Sequence, residues 1–259
     1  MNGFLTRDGI APACFLNAAW KDLARYREIE WIQEQVVRVA KSDDGSFVVS
    51  SDGSESKRCR KLLIATGLFD DVPRVDGMAE LFGSGVFQCP YCDGWEVRGK
   101  RLVAYGSKRR GYEMAKALTA WSSNIVLCSN GLAGLDALQQ KALSRNAIRV
   151  IEAPVDRLIT ANGKLGGVAF KVGPRLDCDA LFFDTPSRQQ CNIAELAGCA
   201  FTSAGGIRCN KLLESSVPGV FVAGNVTRDV ELSIVAAAEG AKAAFAINRE
   251  LTREAFGPP

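Results

Sequence analysis

The sequence predicts an α/β protein with a parallel sheet and two domains. Strands and helices alternate between residues 101 and 183, which implies parallel strands joined by right-handed crossovers. Two other buried strands each end at a glycine, at Gly67 and Gly224. The 259 residues are enough for two domains, each with its own apolar core.

The N-terminal part predicts one helix followed by short strands. Residues 11–26 place apolar side chains on one helical face, and Pro12 suits a first helical turn. Residues 68–85 are expected to form a connection or hinge. The strands predicted before that connection lie at 35–40, 47–51 and 61–67.

The central and C-terminal parts complete the predicted sheet elements. A hairpin-like region extends to about residue 173, and a long helix runs from about Glu231 to Arg249 with Phe245 on its apolar face. The other predicted strands lie at 101–105, 124–128, 147–152, 179–183 and 217–224. The other predicted helices lie at 112–121 and 132–145.

Composition argues against several classes of protein. The 32 basic and 29 acidic residues are too balanced to suggest nucleic acid or a membrane surface as a partner. No segment is apolar for long enough to span a bilayer, and the N-terminus has no signal-peptide pattern. The expected location is therefore the cytoplasm, where thiols stay reduced, and the nine irregularly spaced cysteines do not match a secreted disulfide framework. Because histidine is absent, Ser-His-Asp catalysis, Cys-His catalysis and imidazole zinc sites are excluded.

Cys89 and Cys92 form a C-x-x-C motif that favours a redox pair. A four-cysteine zinc site needs a second such pair, which the sequence lacks, so no metal site is predicted. Two ordinary core cysteines remain an alternative, since cysteine packs well in cores. Pro90 suits the first turn of a helix, whose N-terminus lowers the pKa of a thiol. Asp93 follows directly and supplies a carboxyl group for proton transfer.

Two glycine-containing turns indicate nucleotide sites. Gly106 and Gly111 match the ends of the G-x-G-x-x-G fingerprint, but Lys108 replaces its middle glycine, so a nicotinamide site and an ordinary crossover turn are equally compatible. In the second turn, Asn225 follows Gly224 and could hydrogen-bond a ribityl or ribose hydroxyl. The start of the long helix, near Leu232 and Ser233, offers amide groups to an electron-rich ring edge.

With these segments in order, the chain resembles the low-molecular-weight thioredoxin reductase family and related flavoproteins over nearly its whole length. The resemblance rests on the segments Ile64–Gly67, Cys89–Gly94, Gly106–Trp121 and Gly219–Asn225. It implies two Rossmann-like, three-layer domains. Residues 1–75 and 186–259 would form the FAD-binding domain, and the inserted NAD(P)-binding-like domain, residues 76–185, would carry the two cysteines.

The resemblance also implies roles for individual residues. Cys92 would exchange electrons with the flavin, Cys89 would attack the disulfide of a thioredoxin-like protein or small molecule, and Asp93 would be the acid. The electron donor would be NADPH or NADH, and the protein would be a homodimer. The implied FAD-binding residues are Val36, Thr66, Gly67, Gly224, Asn225, Leu232 and Ser233. The implied nicotinamide-binding residues are Gly106 and Gly111.

Three of the places at which the chain departs from the family pattern bear most directly on its cofactor sites. The family's first strand–glycine-loop–helix is not found, so the flavin domain is expected to be N-terminally incomplete and to expose apolar surface. Asn225 stands where the family has an aspartate, and Lys108 interrupts the nicotinamide fingerprint. Two alternatives to a reductase therefore stay open: an FAD-dependent dithiol oxidase that uses no nicotinamide, and a truncated paralogue without catalytic activity.

Overall fold

A computed structural model describes residues 1–53 and 55–257, and the chain folds into two compact units. The first unit contains Met1–Phe69 and the chain from Ser187 onward. The second unit contains Asp70–Pro186. Within the described residues, every helix falls short of the length and apolarity that a membrane-spanning helix requires.

The helices and strands are numbered here in chain order. The helices are α1 (Pro12–Leu23), α2 (Pro90–Asp93), α3 (Lys108–Leu118), α4 (Ala137–Arg145), α5 (Ile193–Leu196) and α6 (Ser233–Phe256). The strands are β1 (Val36–Lys41), β2 (Phe47–Ser51), β3 (Lys57–Cys59), β4 (Leu62–Ile64), β5 (Leu68–Asp70), β6 (Val86–Phe87), β7 (Leu102–Tyr105), β8 (Ile125–Cys128), β9 (Arg149–Ile151), β10 (Val155–Ala161), β11 (Lys164–Phe170), β12 (Leu176–Asp177), β13 (Ala180–Phe183), β14 (Ser187–Gln189) and β15 (Val220–Val222).

The first unit joins a three-stranded antiparallel sheet to a pair of parallel strands. Strands β1, β2 and β3 form the antiparallel sheet, and β4 pairs in parallel with β15, so both of these strands end at the same edge. The core contains Phe47, Ile64 and Val222, which are buried in one hydrophobic cluster. Lys61, just before β4, bonds Glu250 and Glu254 of α6 at 2.7 Å each.

The second unit contains a five-stranded parallel sheet in the order β6-β13-β7-β8-β9. Every residue of β7 and β13 is buried, as expected for central parallel strands that are covered on both faces. Helix α3 packs on this sheet through Met114, Ala115 and Leu118. Strands β10, β11 and β12 form a separate antiparallel sheet. The predicted α/β class with a parallel sheet is confirmed.

The predicted bounds of three helices were wrong. Helix α4 begins at Ala137 rather than residue 132, because Asp136 forms a capping box with Gln139 and so starts the helix there. Helix α3 begins at Lys108, inside the segment predicted as a turn. Helix α6 continues to Phe256, where Gly257 with φ +85° ends it.

The predicted apolar faces of α1 and α6 are not the buried faces. Helix α1 buries none of its side chains in the described part of the chain, although it is amphipathic. Helix α6 buries only Ala243 and Ala246, and Phe245 is 68% exposed. The first unit therefore presents apolar side chains at its surface on both helices.

We expect the stability of the second unit to depend on pH through Asp179. The Arg101 guanidinium and the Arg101 backbone N–H donate to this carboxylate at 2.7–3.0 Å and lower its pKa to about 2 from an ordinary 3.8. Because the folded-state pKa is depressed, the stabilisation is complete above pH 3.8 and is lost as the pH falls towards 2. After allowance for solvent screening it amounts to about 1 kcal/mol.

Urea unfolding of the unchanged protein and of Asp179→Asn between about pH 5 and pH 2 measures this contribution. The variant is expected to be less stable at the upper end of the range and equal to the unchanged protein at the lower end. A difference that stays constant across the range would contradict the assignment.

Candidate functional site

Cys89 and Cys92 are joined by a disulfide across the single turn of α2. Cys89 is the N-cap residue, its Cα lies 5.3 Å from that of Cys92, and Pro90 occupies the first helical position and is buried. The Cys92 N–H donates to Cys89 Sγ at 3.2 Å. The turn predicted from Pro90 therefore places both sulfur atoms together, and both cysteines are half-buried. Such a pair can be opened by an incoming thiolate.

The turn is held in place by close packing at Gly94, which follows α2. A Cβ atom there would overlap the carbonyl oxygen of Pro90 and lie 2.5 Å from Nε1 of Trp121. That indole nitrogen is buried and has no hydrogen-bond partner among the described residues. Beside the disulfide, Tyr91 is 77% exposed, and Trp95 carries the Arg98 guanidinium 3.9 Å from its ring centre. The disulfide thus lies next to an exposed aromatic surface. Asp93 is half-buried at the last position of α2.

Other cysteines of the second unit are poor redox groups. Burial raises the pKa of Cys128 and of Cys178 to about 12 each, so both thiols stay protonated at neutral pH. Across the described residues, no three Cys, Asp or Glu side chains are grouped in a way that could hold a metal ion. The Cys89–Cys92 pair is therefore the strongest candidate for redox chemistry in this unit.

The first unit contains a cavity of about 360 Å³ at the carboxyl ends of β4 and β15, beside the start of α6. This edge of a parallel pair is where α/β proteins commonly bind ligands. The lining residues are Leu63, Ala65, Gly67, Ala223, Gly224, Asn225, Glu231, Leu232, Ser233, Ala236 and Gly240.

Five of the predicted FAD-binding residues line this cavity, namely Gly67, Gly224, Asn225, Leu232 and Ser233. Val36 and Thr66 do not line it. Val36 is an exposed residue at the start of β1, and Thr66 is exposed beside Gly67. Sequence reasoning missed the lining residues Ala236 and Gly240. Ala236 and Gly240 follow Leu232 by four and eight residues, a helical spacing that would have indicated the same face.

The cavity suits part of a flavin because Gly67 and Gly224 in its wall have no side chains, so a flat ring can approach the backbone there. Gly67 has φ +78°, and a Cβ atom there would lie 3.5 Å from Asn225 Oδ1. Gly224 has φ +82°, and its N–H donates to Glu239 Oε2 at 2.7 Å. Among the described residues, no side chain caps the first turn of the 24-residue helix α6, so its amide groups and positive dipole end can meet an electron-rich ring edge.

In the second unit, Gly106 and Gly111 bring β7 and α3 into close contact. A Cβ atom on Gly111 would overlap the carbonyl group of Gly106, which is the packing role of the last glycine in a dinucleotide fingerprint. Lys108 has φ +54°, and its N–H donates to the Ala133 carbonyl oxygen at 2.6 Å. The middle of this turn therefore carries a side chain, and the amide of its middle residue, Lys108, is already bonded. These residues do not fit a pyrophosphate in the usual position.

Asp184 lies at the end of β13 beside this turn. Burial raises the pKa of its carboxyl group, and the Arg110 guanidinium, 3.5 Å away, acts in the opposite direction. Arg110 is thus engaged by an acidic side chain. The positive charges left at the turn are those of Lys108 and Arg109, which are both exposed.

Comparison with known proteins identifies the family. Residues 8–240 match the family described as pyridine nucleotide-disulphide oxidoreductase. The chain is 29% identical over 228 residues to "Thioredoxin reductase tcpT" of Claviceps purpurea (strain 20.1), covering 84% of this chain and 71% of that protein. It also resembles the crystal structure of putative thioredoxin reductase TrxB from Bacillus anthracis, with a TM-score of 0.90 and 29% identity over 98% of this chain and 85% of that one.

The crystal structure of HlmI superposes with a TM-score of 0.92 and 32% identity, over 97% of this chain and 80% of that one. The match to the family model spans both units of the chain. The chain therefore belongs to the pyridine nucleotide-disulphide oxidoreductase family, as a thioredoxin-reductase-like oxidoreductase of the FAD-dependent disulfide reductase type.

Proposed function

We propose that this chain is a flavoprotein that exchanges electrons between FAD and a disulfide substrate through Cys89 and Cys92. The observation that carries the proposal is the half-buried disulfide across the first turn of α2, with Cys89 at the N-cap. The similarity to proteins named thioredoxin reductase supports a thioredoxin-like protein or a small disulfide as the substrate.

In the reductive direction the reduced pair acts by two thiol–disulfide exchanges. The Cys89 thiolate attacks the substrate disulfide, forms a mixed disulfide and releases one substrate thiolate. The Cys92 thiolate then attacks Cys89 Sγ, re-forms the Cys89–Cys92 disulfide and releases the second thiolate. Asp93 supplies a proton to a departing thiolate, since the chain has no histidine. Two electrons have then passed to the substrate.

Reduced FAD held in the cavity would supply the two electrons that convert the Cys89–Cys92 disulfide back to the dithiol, and would itself be oxidised. Gly67 and Gly224 would leave room for its ring, and Asn225 would hydrogen-bond a hydroxyl group of its ribityl chain. Leu232 and Ser233 would present the amide groups of α6 to the ring edge. Contacts from Val36 and Thr66, a homodimeric state and a cytoplasmic location stay predictions from the resemblance.

An anaerobic reductive titration of the chain saturated with FAD tests this proposal. The visible flavin absorbance should bleach only after about four electrons per chain have been added, because flavin and disulfide accept two each. A matched titration of Cys89→Ser/Cys92→Ser should need about half as many. Equal electron counts for the two proteins, or no flavin binding at all, would contradict the proposal.

An FAD-dependent dithiol oxidase is the second candidate, and the turn at Lys108 favours it. In that reaction a dithiol substrate would be oxidised to its disulfide, passing two electrons through Cys89 and Cys92 to the flavin. Molecular oxygen would accept them and become hydrogen peroxide. NADPH or NADH, the donors that the resemblance implies, would have no part in this cycle.

A further inference from the structure

We infer that the turn between β7 and α3 excludes the pyrophosphate of a nicotinamide dinucleotide, so that NADH and NADPH do not reduce this protein. The inference deepens the proposed function, and only the test that measures flavin reduction depends on that function. It concerns residues of the second unit alone, and three separate features of that unit support it.

The first feature is the side chain at the middle position of the turn. In a dinucleotide-binding turn this position is glycine, because the backbone must approach the pyrophosphate closely. Lys108 has a left-handed backbone, with φ +54°, which glycine adopts more easily than lysine. It also adds a Cβ atom and a long side chain at the place of closest approach.

The second feature is that the amide group of Lys108, the middle residue of the turn, is already bonded. The Lys108 N–H donates to the Ala133 carbonyl oxygen at 2.6 Å, so it is not available to a phosphate oxygen. The Lys108 side chain also packs over the same loop, since a Cβ atom on Gly134 would lie 3.1 Å from Lys108 Cγ. Lys108 therefore contacts the loop after β8 through both its backbone N–H and its side chain.

The third feature is the loop after β8, residues 129–134, whose polar groups bond within the protein. Asn130 Nδ2 donates to the hydroxyl of Tyr105 at 2.8 Å, and its Oδ1 accepts the N–H of Val155 at 2.8 Å. Ser129 Oγ donates to the Gly131 carbonyl oxygen at 2.6 Å.

This strand end is where a dinucleotide site normally places an acid for the ribose or an arginine for a 2′-phosphate. Here the Glu152 carboxylate instead accepts the N–H of Ala133 at 2.8 Å, which holds the loop against the turn. Opening the turn to a pyrophosphate would require this loop to move and would break the Lys108–Ala133 and Ala133–Glu152 bonds together.

The positive charge of the turn does not replace these contacts. Lys108 and Arg109 are exposed, and solvent and salt screen such charges over about 8–10 Å. Arg110 is engaged by Asp184. We therefore expect at most a weak, salt-sensitive attraction that does not distinguish NADPH from other polyphosphates.

Calorimetric titration of NADPH and NADH into the full chain tests the inference without relying on flavin. No saturable binding is expected up to about 1 mM dinucleotide. In the chain saturated with FAD, anaerobic rapid mixing should show flavin reduction by dithiothreitol at a rate at least about a thousandfold above that by either dinucleotide. Saturable binding to the unchanged chain in the micromolar range would overturn the inference.

Two glycine substitutions provide the matched comparison. Lys108→Gly restores the fingerprint and should raise dinucleotide affinity at least about tenfold. Arg109→Gly removes the same charge from the next position and should not raise it. Equal effects of the two substitutions would overturn the inference. Failure of dithiothreitol to reduce bound flavin would instead contradict the proposed function. The calorimetric result alone would then decide whether the turn excludes the dinucleotides.

Discussion

Replacing Cys92 with serine is expected to lower the rate at which the prereduced protein converts a substrate disulfide into two thiols by at least about a thousandfold, because the second exchange step loses its nucleophile. Cys89 remains and can still attack a substrate disulfide. The variant should therefore accumulate a mixed disulfide between Cys89 and one half of the substrate. Mass spectrometry of the reduced variant after mixing with a small disulfide would detect that adduct.

Cys14→Ser is the control for this experiment, because Cys14 is an exposed cysteine on α1. The prereduced control should reduce the substrate disulfide at the same rate as the prereduced unchanged chain. Cys89→Ser should also lose turnover, but without a mixed disulfide at position 89. If Cys92→Ser reduced the substrate as fast as the unchanged chain, the roles assigned to the two cysteines would be wrong.

Replacing Gly67 with alanine is expected to weaken FAD binding at least about tenfold. A Cβ atom at this position would enter the cavity 3.5 Å from Asn225 Oδ1, where the ring is proposed to lie. In addition, the Gly67 backbone has φ +78°, a conformation that alanine adopts only with strain. FAD affinity is measured by the quenching of flavin fluorescence on titration with the protein.

Gly83→Ala separates the two causes. Gly83 has nearly the same backbone angle, φ +79°, but it lies in the second unit and a Cβ atom there would meet nothing within 4 Å. Its substitution should carry a similar strain without changing FAD affinity. Equal loss of affinity in both variants would show that the effect comes from strain and not from the cavity.

The predictions that succeeded depended on short-range patterns. The alternation of strand and helix indicated a parallel sheet, and the C-P-Y-C segment indicated a helical turn that begins at Pro90. The start of α4 was predicted too early. The sequence contained the signal for the correct start, because Asp136 and Gln139 have the spacing of a capping box. The predicted end of α6 at Arg249 was too early, since the helix continues through Phe256 and is capped by Gly257.

The sequence by itself determined the α/β class, the disulfide pair and the glycines at which β4 and β15 lead into the cavity, because local spacing encodes each of them. Only the tertiary structure decided that Val36 and Thr66 lie outside that cavity. It also decided that the Lys108 N–H is bonded to Ala133 and that Asn130 is bonded to Tyr105 and Val155. Each of these contacts joins residues about 25 positions apart, so it exists only once the strands have assembled side by side.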